Sequence, residues 1–517
     1  MPAAGKSYGA IRYMEEQIRS KGKRFVLAAI SVELCEQLAN DFQEDIRLKV
    51  IITKSSGKDE RVQDRFLSEL EEKEYDVLVI THKNLINCSG KYEALDWDIV
   101  VDELPNIHAS MYLKIPSLED DTLSRWLTRS NPEEELHNFH VMELKCGFRE
   151  VLQGYIGKFE EVRDEDSLMN KKSQKGLEGL LKEGGCVLRK QSSEGEVEYA
   201  FNYIYHPEDL FPYNEVIFLC AEFDNQLTGL LFKHKFNIQV EEKQEISLRK
   251  TQYDKPSRIK IYPLIKAPKA FSRNLSESWY CTKTGEKRAS YLPEESSYVE
   301  FFEHLVNTAS KIVGDEGYIY TVNKFREDMI TNGDYSFLEE SDRVKRLKYN
   351  PHGLNNYMDY NVALGMFCCN PRPTQKMLFA RLDEECNVPA MTFQKGYEST
   401  AMKDPVFQLI TRTKIRDFDN LEEITCIVPD YRCVDYLLET WFEGATVVWD
   451  YAVEVKETLG RHGKYQKLFN MDSSQSKAYN RWVHKQGWKP SEMSIHCEEQ
   501  YNRVIEWWKE TYDKEKT

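Results

Sequence analysis

Two short groups of residues in this chain are of the types that bind and cleave a phosphoanhydride. Gly5-Lys6-Ser7 matches the last three elements of the phosphate-loop pattern G-x-x-x-x-G-K-S/T. In that chemistry the glycine lets backbone N–H groups close around phosphate oxygens. The lysine reaches the terminal phosphates and the hydroxyl ligates Mg²⁺. Tyr8 to Arg19 then reads as a helix whose positive N-terminal end faces the phosphate. Far downstream, the apolar run Trp97-Asp-Ile-Val-Val101 ends in Asp102-Glu103. There the Asp would orient a Mg²⁺ shell and the Glu would polarise an attacking water. Acids after a strand also suit a helix N-terminus for dipole reasons, so the pair gains meaning from following a GKS.

The elements that must position these groups alternate. Short apolar runs at Phe25–Ile30, Leu48–Ile52, Asp76–Ile80 and Asp98–Val101 predict buried parallel strands. Helical patterns at Ser31–Asn40 and Glu60–Glu72 lie between them, which predicts a doubly wound sheet. Further runs at Arg258–Tyr262, Gly317–Val322, Val362–Phe367 and Ile424–Val428 predict a second sheet of the same kind. Residues 106–215 are charged and read as mostly helical (Pro132–Lys158, Asp166–Lys182). Six of the nine tryptophans fall after Thr440, in a stretch expected to form a small, mainly helical unit packed on the second sheet. The expected division is a first lobe at 1–245 with an insertion at about 106–215, a second lobe at 246–440, and a C-terminal extension at 441–517.

At 517 residues the chain exceeds one core, and its 41% hydrophobic content suits packed globular domains rather than disorder. No apolar run is long enough to span a bilayer, and the start carries no signal pattern, so a soluble, cytoplasmic protein is expected. Twelve scattered cysteines without C-x-x-C suit buried thiols in a reducing compartment. His137, His140 and Cys146 lie on a stretch read as helical and lack a fourth partner for a zinc site. The net charge of −16 argues against a general electrostatic grip on nucleic acid. A local grip is open at Ser247–Arg273, where eight basic residues face one acid, with Tyr253, Tyr262 and Phe271 interleaved. A solvated strand and linker is the equal alternative.

Taken in order, these segments resemble a superfamily 2 helicase of the divergent, DEAD-like type met in phages and prophages. Gly5-Lys6-Ser7 matches motif I and Asp102-Glu103 motif II. Ile30-Ser-Val-Glu-Leu34 is similar to motif Ia, and Thr81-His82-Lys83 resembles the next single-strand contact. Val216 to Glu222 resembles motif III, with Cys220-Ala221-Glu222 where Ser-Ala-Thr is usual. Tyr318–Asn323 resembles motif IV. His352-Gly353-Leu354-Asn355, with Tyr357 and Asp359, resembles motif V. Gln408 to Arg416 resembles motif VI, with Thr411 in place of a glycine and the last arginine one position late. Arg412 and Arg416, at i and i+4, are expected on one helix face, aimed at the γ-phosphate with Arg412 as the finger. Salt bridging to Asp417, Asp419 or Glu422 is the bland alternative.

The resemblance implies an α/β fold of two RecA-like lobes (a P-loop NTPase) with a helical insertion in the first lobe. It implies ATP and Mg²⁺ between the lobes, with Gly5, Lys6 and Ser7 on the phosphates and Ser7 and Asp102 on the metal. Lys6, Glu103, Gln408, Arg412 and Arg416 would carry catalysis. Single- or double-stranded nucleic acid is the expected partner, DNA favoured, in phage replication or recombination, with replication proteins as possible partners and a bacterial host cytoplasm as the setting. The strand that normally delivers a P-loop does not precede Met1. The expectation is a mis-assigned start, a decayed prophage fragment, or a strand supplied by another polypeptide, with ATP bound poorly unless the chain is extended. The alternative function is a nucleic-acid-binding or replication-initiation protein that keeps the helicase fold with little turnover. An ATPase acting on proteins is a third.

Overall fold

In the computed structural model, residues 5–52, 61–116, 196–246, 256–285, 298–333, 335–349, 357–417, 419–456 and 473–486 are described without interruption. Shorter stretches are described between 124 and 191, at 287–288 and between 503 and 511. The chain opens with α1 (Lys6–Lys21), β1 (Phe25–Ala29), α2 (Val32–Asn40), β2 (Leu48–Ile51), α3 (Val62–Glu72), β3 (Val77–Thr81), α4 (His82–Asn87) and β4 (Ala94–Val101). β1 and β3 are buried at every position, as continuous apolar runs require when helices cover both faces of a sheet.

The next hundred residues overturn the helical reading of the insertion. β5 (His108–Pro116), β6 (Leu127–Arg129), β7 (Glu135–Leu136), β8 (Phe139–Leu144), β9 (Cys186–Gln191) and β10 (Glu196–Ile204) build a six-stranded antiparallel sheet. α5 (Phe148–Phe159) is the one long helix described within it. The physical reason is visible in β10. Val197, Tyr199 and Phe201 are buried with Leu113, Val187 and Leu152, while the intervening Glu198 stays only half-buried. Charge on alternate residues of a half-buried strand looks like charge on an amphipathic helix when the run is short. His140 accordingly lies on a strand, and His137 lies outside the described residues.

β11 (Tyr213–Phe218) returns to the first sheet beside β4, giving five parallel strands in the order β11-β4-β1-β3-β2. Asp98, buried in β4, is held there by Lys23 Nζ at 2.6 Å and Asn214 Nδ2 at 2.7 Å. The second lobe begins with β12 (Ile259–Pro263). A small antiparallel sheet follows, of β13 (Trp279–Cys281), β14 (Lys287–Arg288) and β15 (Tyr298–Glu300). Then come α6 (Phe301–Val313), β16 (Tyr318–Val322), α7 (Lys324–Thr331), β17 (Val344–Arg346), β18 (Val362–Met366), α8 (Pro373–Glu385), α9 (Thr392–Glu398), α10 (Asp404–Ile410), β19 (Ile424–Val428), α11 (Tyr431–Thr440) and β20 (Thr446–Val447). Its six parallel strands run β17-β16-β18-β19-β12-β20. Two doubly wound parallel sheets are therefore present, as the sequence pattern requires. Phe271 is core, 1% exposed, so it cannot stack on a base, and Tyr262 packs on Tyr451 at 6.1 Å. Arg249, Lys250, Tyr253 and Lys255 lie outside the described residues. In the C-terminal stretch, α12 (Ser473–Lys485) carries Tyr479 and Trp482, and Trp482 stacks on Trp507 at 5.3 Å; Trp488 and Trp508 fall outside the described residues.

The lobes are joined by more than a cleft. α8 and α9, a helical hairpin emerging from the second sheet, send Met377, Leu378, Phe379, Leu382 and Phe393 into the core of the first lobe. That cluster contains Ile80, Trp97 and Val101 of the first sheet together with Val141, Leu188 and Ala200 of the antiparallel sheet. Asp383, almost fully buried, closes the hairpin by accepting from Met391 N at 2.6 Å and Phe393 N at 3.0 Å. Two further bonds pin the contact: Leu227 N donates to Thr400 Oγ1 at 2.9 Å, and the Arg372 guanidinium lies 4.1 Å over the Tyr112 ring. Truncating a fully buried phenylalanine forfeits its transfer free energy and leaves a cavity. Phe393→Ala is expected to destabilise the protein by about 3–5 kcal/mol, read as a lower urea midpoint, with Phe393→Leu losing clearly less.

Candidate active site

The C-terminal ends of β1, β3, β4 and β11 share one edge of the first sheet, where open parallel sheets place ligands. Gly5 stands just before α1 with φ 77° and ψ 24°, a left-handed conformation that glycine takes without strain. Its carbonyl accepts from Gly9 N at 2.8 Å, starting the helix. Ala10, Ile11, Tyr13 and Met14 bury one face of α1 against Phe25, Leu27 and Ala29. This fixes the helix with its first turn at the end of β4. First-turn N–H groups have no acceptor within a helix and so suit an anion.

At that point Ser7 Oγ donates to Asp102 Oδ1 at 2.8 Å. Lys6 Nζ lies 3.6 Å from Glu103 Oε1, with each side chain 12% exposed. The Lys6 ammonium is buried without a hydrogen-bond acceptor, which is costly and is relieved by phosphate oxygens. Glu103 holds φ 68°, a left-handed backbone that is uncommon for a residue with a side chain. The turn begins where Asp102 N donates to Ala28 O at 2.8 Å, and it swings the Glu103 carboxylate away from Asp102 toward the other lobe.

The second lobe answers with α10. Gln408 Nε2 donates at long range to Glu103 Oε1 (3.5 Å) and to Asp404 Oδ1 (3.4 Å), and Gln408 Oε1 accepts from Arg412 Nη2 at 3.0 Å. Lys6, Glu103, Gln408 and Arg412 thus form one largely buried chain of contacts across the cleft, with the Ser7–Asp102 pair beside it. Arg416 does not share a helix face with Arg412. α10 stops at Ile410, Arg412 lies in the following turn, and Arg416 ends a separate 3₁₀ turn at Lys414–Arg416. Thr413 Oγ1 caps that turn through Ile415 N, so the i, i+4 geometry of a continuous helix is lost.

Asp102 is fully buried, and burial followed by the neighbouring Glu103 carboxylate pushes its pKa up to about 6, against the opposing pull of Lys6 and Ser7. Burial, with Glu103 next, also drives Asp404 well above the carboxylate range. Asp102 and Asp404 therefore hold their protons to higher pH than free carboxyls unless a cation is brought to them. No group of three or more His, Cys, Asp or Glu among the described residues is arranged to hold a metal alone. A divalent ion at Ser7 and Asp102 would therefore need phosphate oxygens to complete its shell, which is how Mg²⁺ commonly binds with a nucleotide. The residues fit Mg²⁺-nucleotide.

Several residues outside the network have structural duties. Thr81 Oγ1 caps α4 through Asn84 N at 3.3 Å, and Thr81 and His82 are buried, so only Lys83 of that trio faces solvent. Ser31 caps α2 through Leu34 N, while Glu33 pairs with Lys348 of the second lobe at 2.7 Å. Asn323 is tied to the Cys368 backbone by two bonds of 2.9 Å. His352 to Asn355 lie outside the described residues. Asp404 was missed in the sequence, although Asp404-Pro405 four residues before Gln408 is a helix-start signal. Glu222 read only as a departure from Ser-Ala-Thr. It is buried and accepts from Tyr436 Oη of the second lobe at 2.5 Å.

A raised carboxylate means that the folded state holds a proton the unfolded chain has lost, so its ionisation costs stability as pH rises from about 4 to about 6. Asp102→Asn is expected to stabilise the ligand-free protein at pH 7 by on the order of 1–3 kcal/mol and to have little effect at pH 4, checked by urea midpoints at the two pH values.

No family model matches the sequence, and no curated protein matches it. Among solved structures, the chain is similar to an XPD helicase at 10% identity, covering 86% of this chain and 99% of that one, with a TM-score of 0.38. It is similar to S. cerevisiae Dbp5 bound to RNA and ADP BeF3 at 11% identity, covering 86% and 84%, with a TM-score of 0.31. It is also similar to the Pyrococcus furiosus Hef helicase domain at 20% identity over 19% of each chain, with a TM-score of 0.15. The matched part thus spans about a fifth of the Hef chain. Superpositions this loose add nothing to the site, and the two RecA-like lobes stand on their own strand orders.

Proposed function

We propose that the chain is an ATP-dependent nucleic-acid helicase or translocase that hydrolyses ATP between its two lobes. The observation that supports this best is the cross-lobe network itself: Lys6, Ser7, Asp102 and Glu103 from one sheet edge, Gln408 and Arg412 from the other lobe. In this reading Gly5, Lys6 and the first turn of α1 hold the phosphates, and Ser7 and Asp102 hold Mg²⁺, which supplies charge neutralisation at the transferred phosphoryl group. Glu103 polarises the attacking water, and Gln408 orients Glu103. Arg412 turns from Gln408 to the γ-phosphate as the cleft tightens. Arg416 is the second arginine, acting from its own turn.

The proposed units are residues 1–245, 246–440 and 441–517. Nucleic acid would lie across the C-terminal edges of both sheets, where Lys83 and Arg273 are exposed, with local charge offsetting a net −16. DNA as the strand, a role in phage replication or recombination, and a bacterial cytoplasm as the setting rest on the resemblance in the sequence. No helix among the described residues is long and apolar enough to cross a membrane.

The proposal requires ATPase activity stimulated by nucleic acid. Lys6→Ala is expected to abolish it, and Glu103→Gln to lower kcat by about 100-fold while leaving nucleotide affinity within about threefold. Nucleic-acid binding without turnover would favour the non-catalytic alternative. Turnover indifferent to nucleic acid would favour a protein-directed ATPase.

A further inference from the structure

Glu222 and Tyr436 form a buried bond between the lobes that the proposed chemistry does not use. Glu222 follows β11 on the first lobe, and its carboxylate accepts from Tyr436 Oη at 2.5 Å and from Asn225 Nδ2 at 3.4 Å. Both partners of the cross-lobe bond are less than a tenth exposed. Tyr436 lies on α11, and its oxygen accepts in turn from Trp441 Nε1 at 3.1 Å. The Trp441 ring is stacked flat on Phe407, with centroids 4.4 Å apart and 7° between planes. Phe407 is the α10 residue immediately before Gln408. A continuous strut therefore runs from Glu222 through Tyr436, Trp441 and Phe407 to the helix that carries Gln408 and Arg412.

The local backbone is built to present Glu222. A Cβ on Gly229 would stand 1.8 Å from the Phe223 carbonyl oxygen, so this tight turn accepts only glycine there. Thr228 Oγ1 ties the same turn to Pro105 O at 2.7 Å, next to the Asp102-Glu103 segment. Both ends of the strut are thus anchored to the residues they would align.

We propose that Glu222 and Tyr436 are positioning residues that set the α10 helix over Glu103, so that Gln408 and Arg412 reach the nucleotide in register. The inference rests on the ATP-hydrolysing reading of the site. Both partners are buried, and there a hydrogen bond to a carboxylate is stronger than one between neutral groups. Its loss shifts the second-lobe groups without touching the phosphate loop.

The test uses the full chain. Tyr436→Phe removes only the hydroxyl, and it is expected to lower kcat of nucleic-acid-stimulated hydrolysis about tenfold with KM for ATP changed less than about threefold. Glu222→Gln keeps an acceptor and should recover most of the rate that Glu222→Ala loses. Backbone hydrogen exchange, which needs no turnover, should rise in Tyr436→Phe at 404–412 and 221–230 and stay unchanged in β1 and β16. An unchanged kcat, or a loss confined to KM, overturns the proposal. If the wild type does not turn over, the ATPase reading fails, and the exchange pattern alone decides the strut: unchanged protection at 404–412 overturns it.

Discussion

The apolar cluster shared by the two lobes is the constraint on which the rest depends. A site that gathers Asp102, Glu103 and Asp404 around Lys6 cannot assemble itself, because burying like charges together is unfavourable. Something else must hold the lobes in place. The α8–α9 hairpin does so by lodging Met377, Leu378, Phe379, Leu382 and Phe393 among first-lobe and antiparallel-sheet residues. Burial of those side chains is favourable, at roughly 25 cal/mol per Å² of apolar surface removed from water, and so opposes the electrostatic cost. Asp102 and Asp404 respond by holding their protons to higher pH than a free carboxyl does.

This arrangement gives the ligand-free cleft a defined chemical character. It is largely buried, rich in carboxyl groups, and supplied with an ammonium that has Glu103 beside it but no hydrogen-bond acceptor. In the proposed function, a nucleotide with its divalent ion would bring anionic oxygens to Lys6 and positive charge to Asp102. Binding and deprotonation would then be linked, and affinity for the metal complex would strengthen as pH rises through the Asp102 range. The left-handed backbone at Glu103 belongs to the same design, because it separates two adjacent acids and gives them different neighbours. Asp102 faces Ser7, and Glu103 faces Lys6 and Gln408.

Much of this was legible in the residues. The runs Phe25–Ile30 and Asp76–Ile80 announce buried parallel strands because burial on both faces leaves no room for polar alternation. Gly5-Lys6-Ser7 announces itself by opening a predicted helix, and Asp102-Glu103 by ending a predicted strand. The antiparallel insertion was not legible. Its strands carry scattered charged residues among buried ones, and over short spans that pattern does not separate a half-buried strand from an amphipathic helix. The pairing of Arg412 with Arg416 failed for a local reason: the helix stops at Ile410, before either arginine, and the Thr411 and Thr413 hydroxyls bond Gln408 O and Ile410 O at that end. The hairpin that lodges in the other lobe, and the Glu222–Tyr436 bond, join residues far apart in sequence, and no local signal reports such contacts.

The central claim is that one nucleotide site is built from both lobes. Calorimetric titration of a non-hydrolysable ATP analogue with Mg²⁺ tests it most directly, using the full chain and one variant from each lobe, Lys6→Ala and Arg412→Ala. The account predicts a single saturable site in the wild type, weakened at least about tenfold by either substitution. No saturable binding by the folded wild type, or binding indifferent to both substitutions, would contradict it.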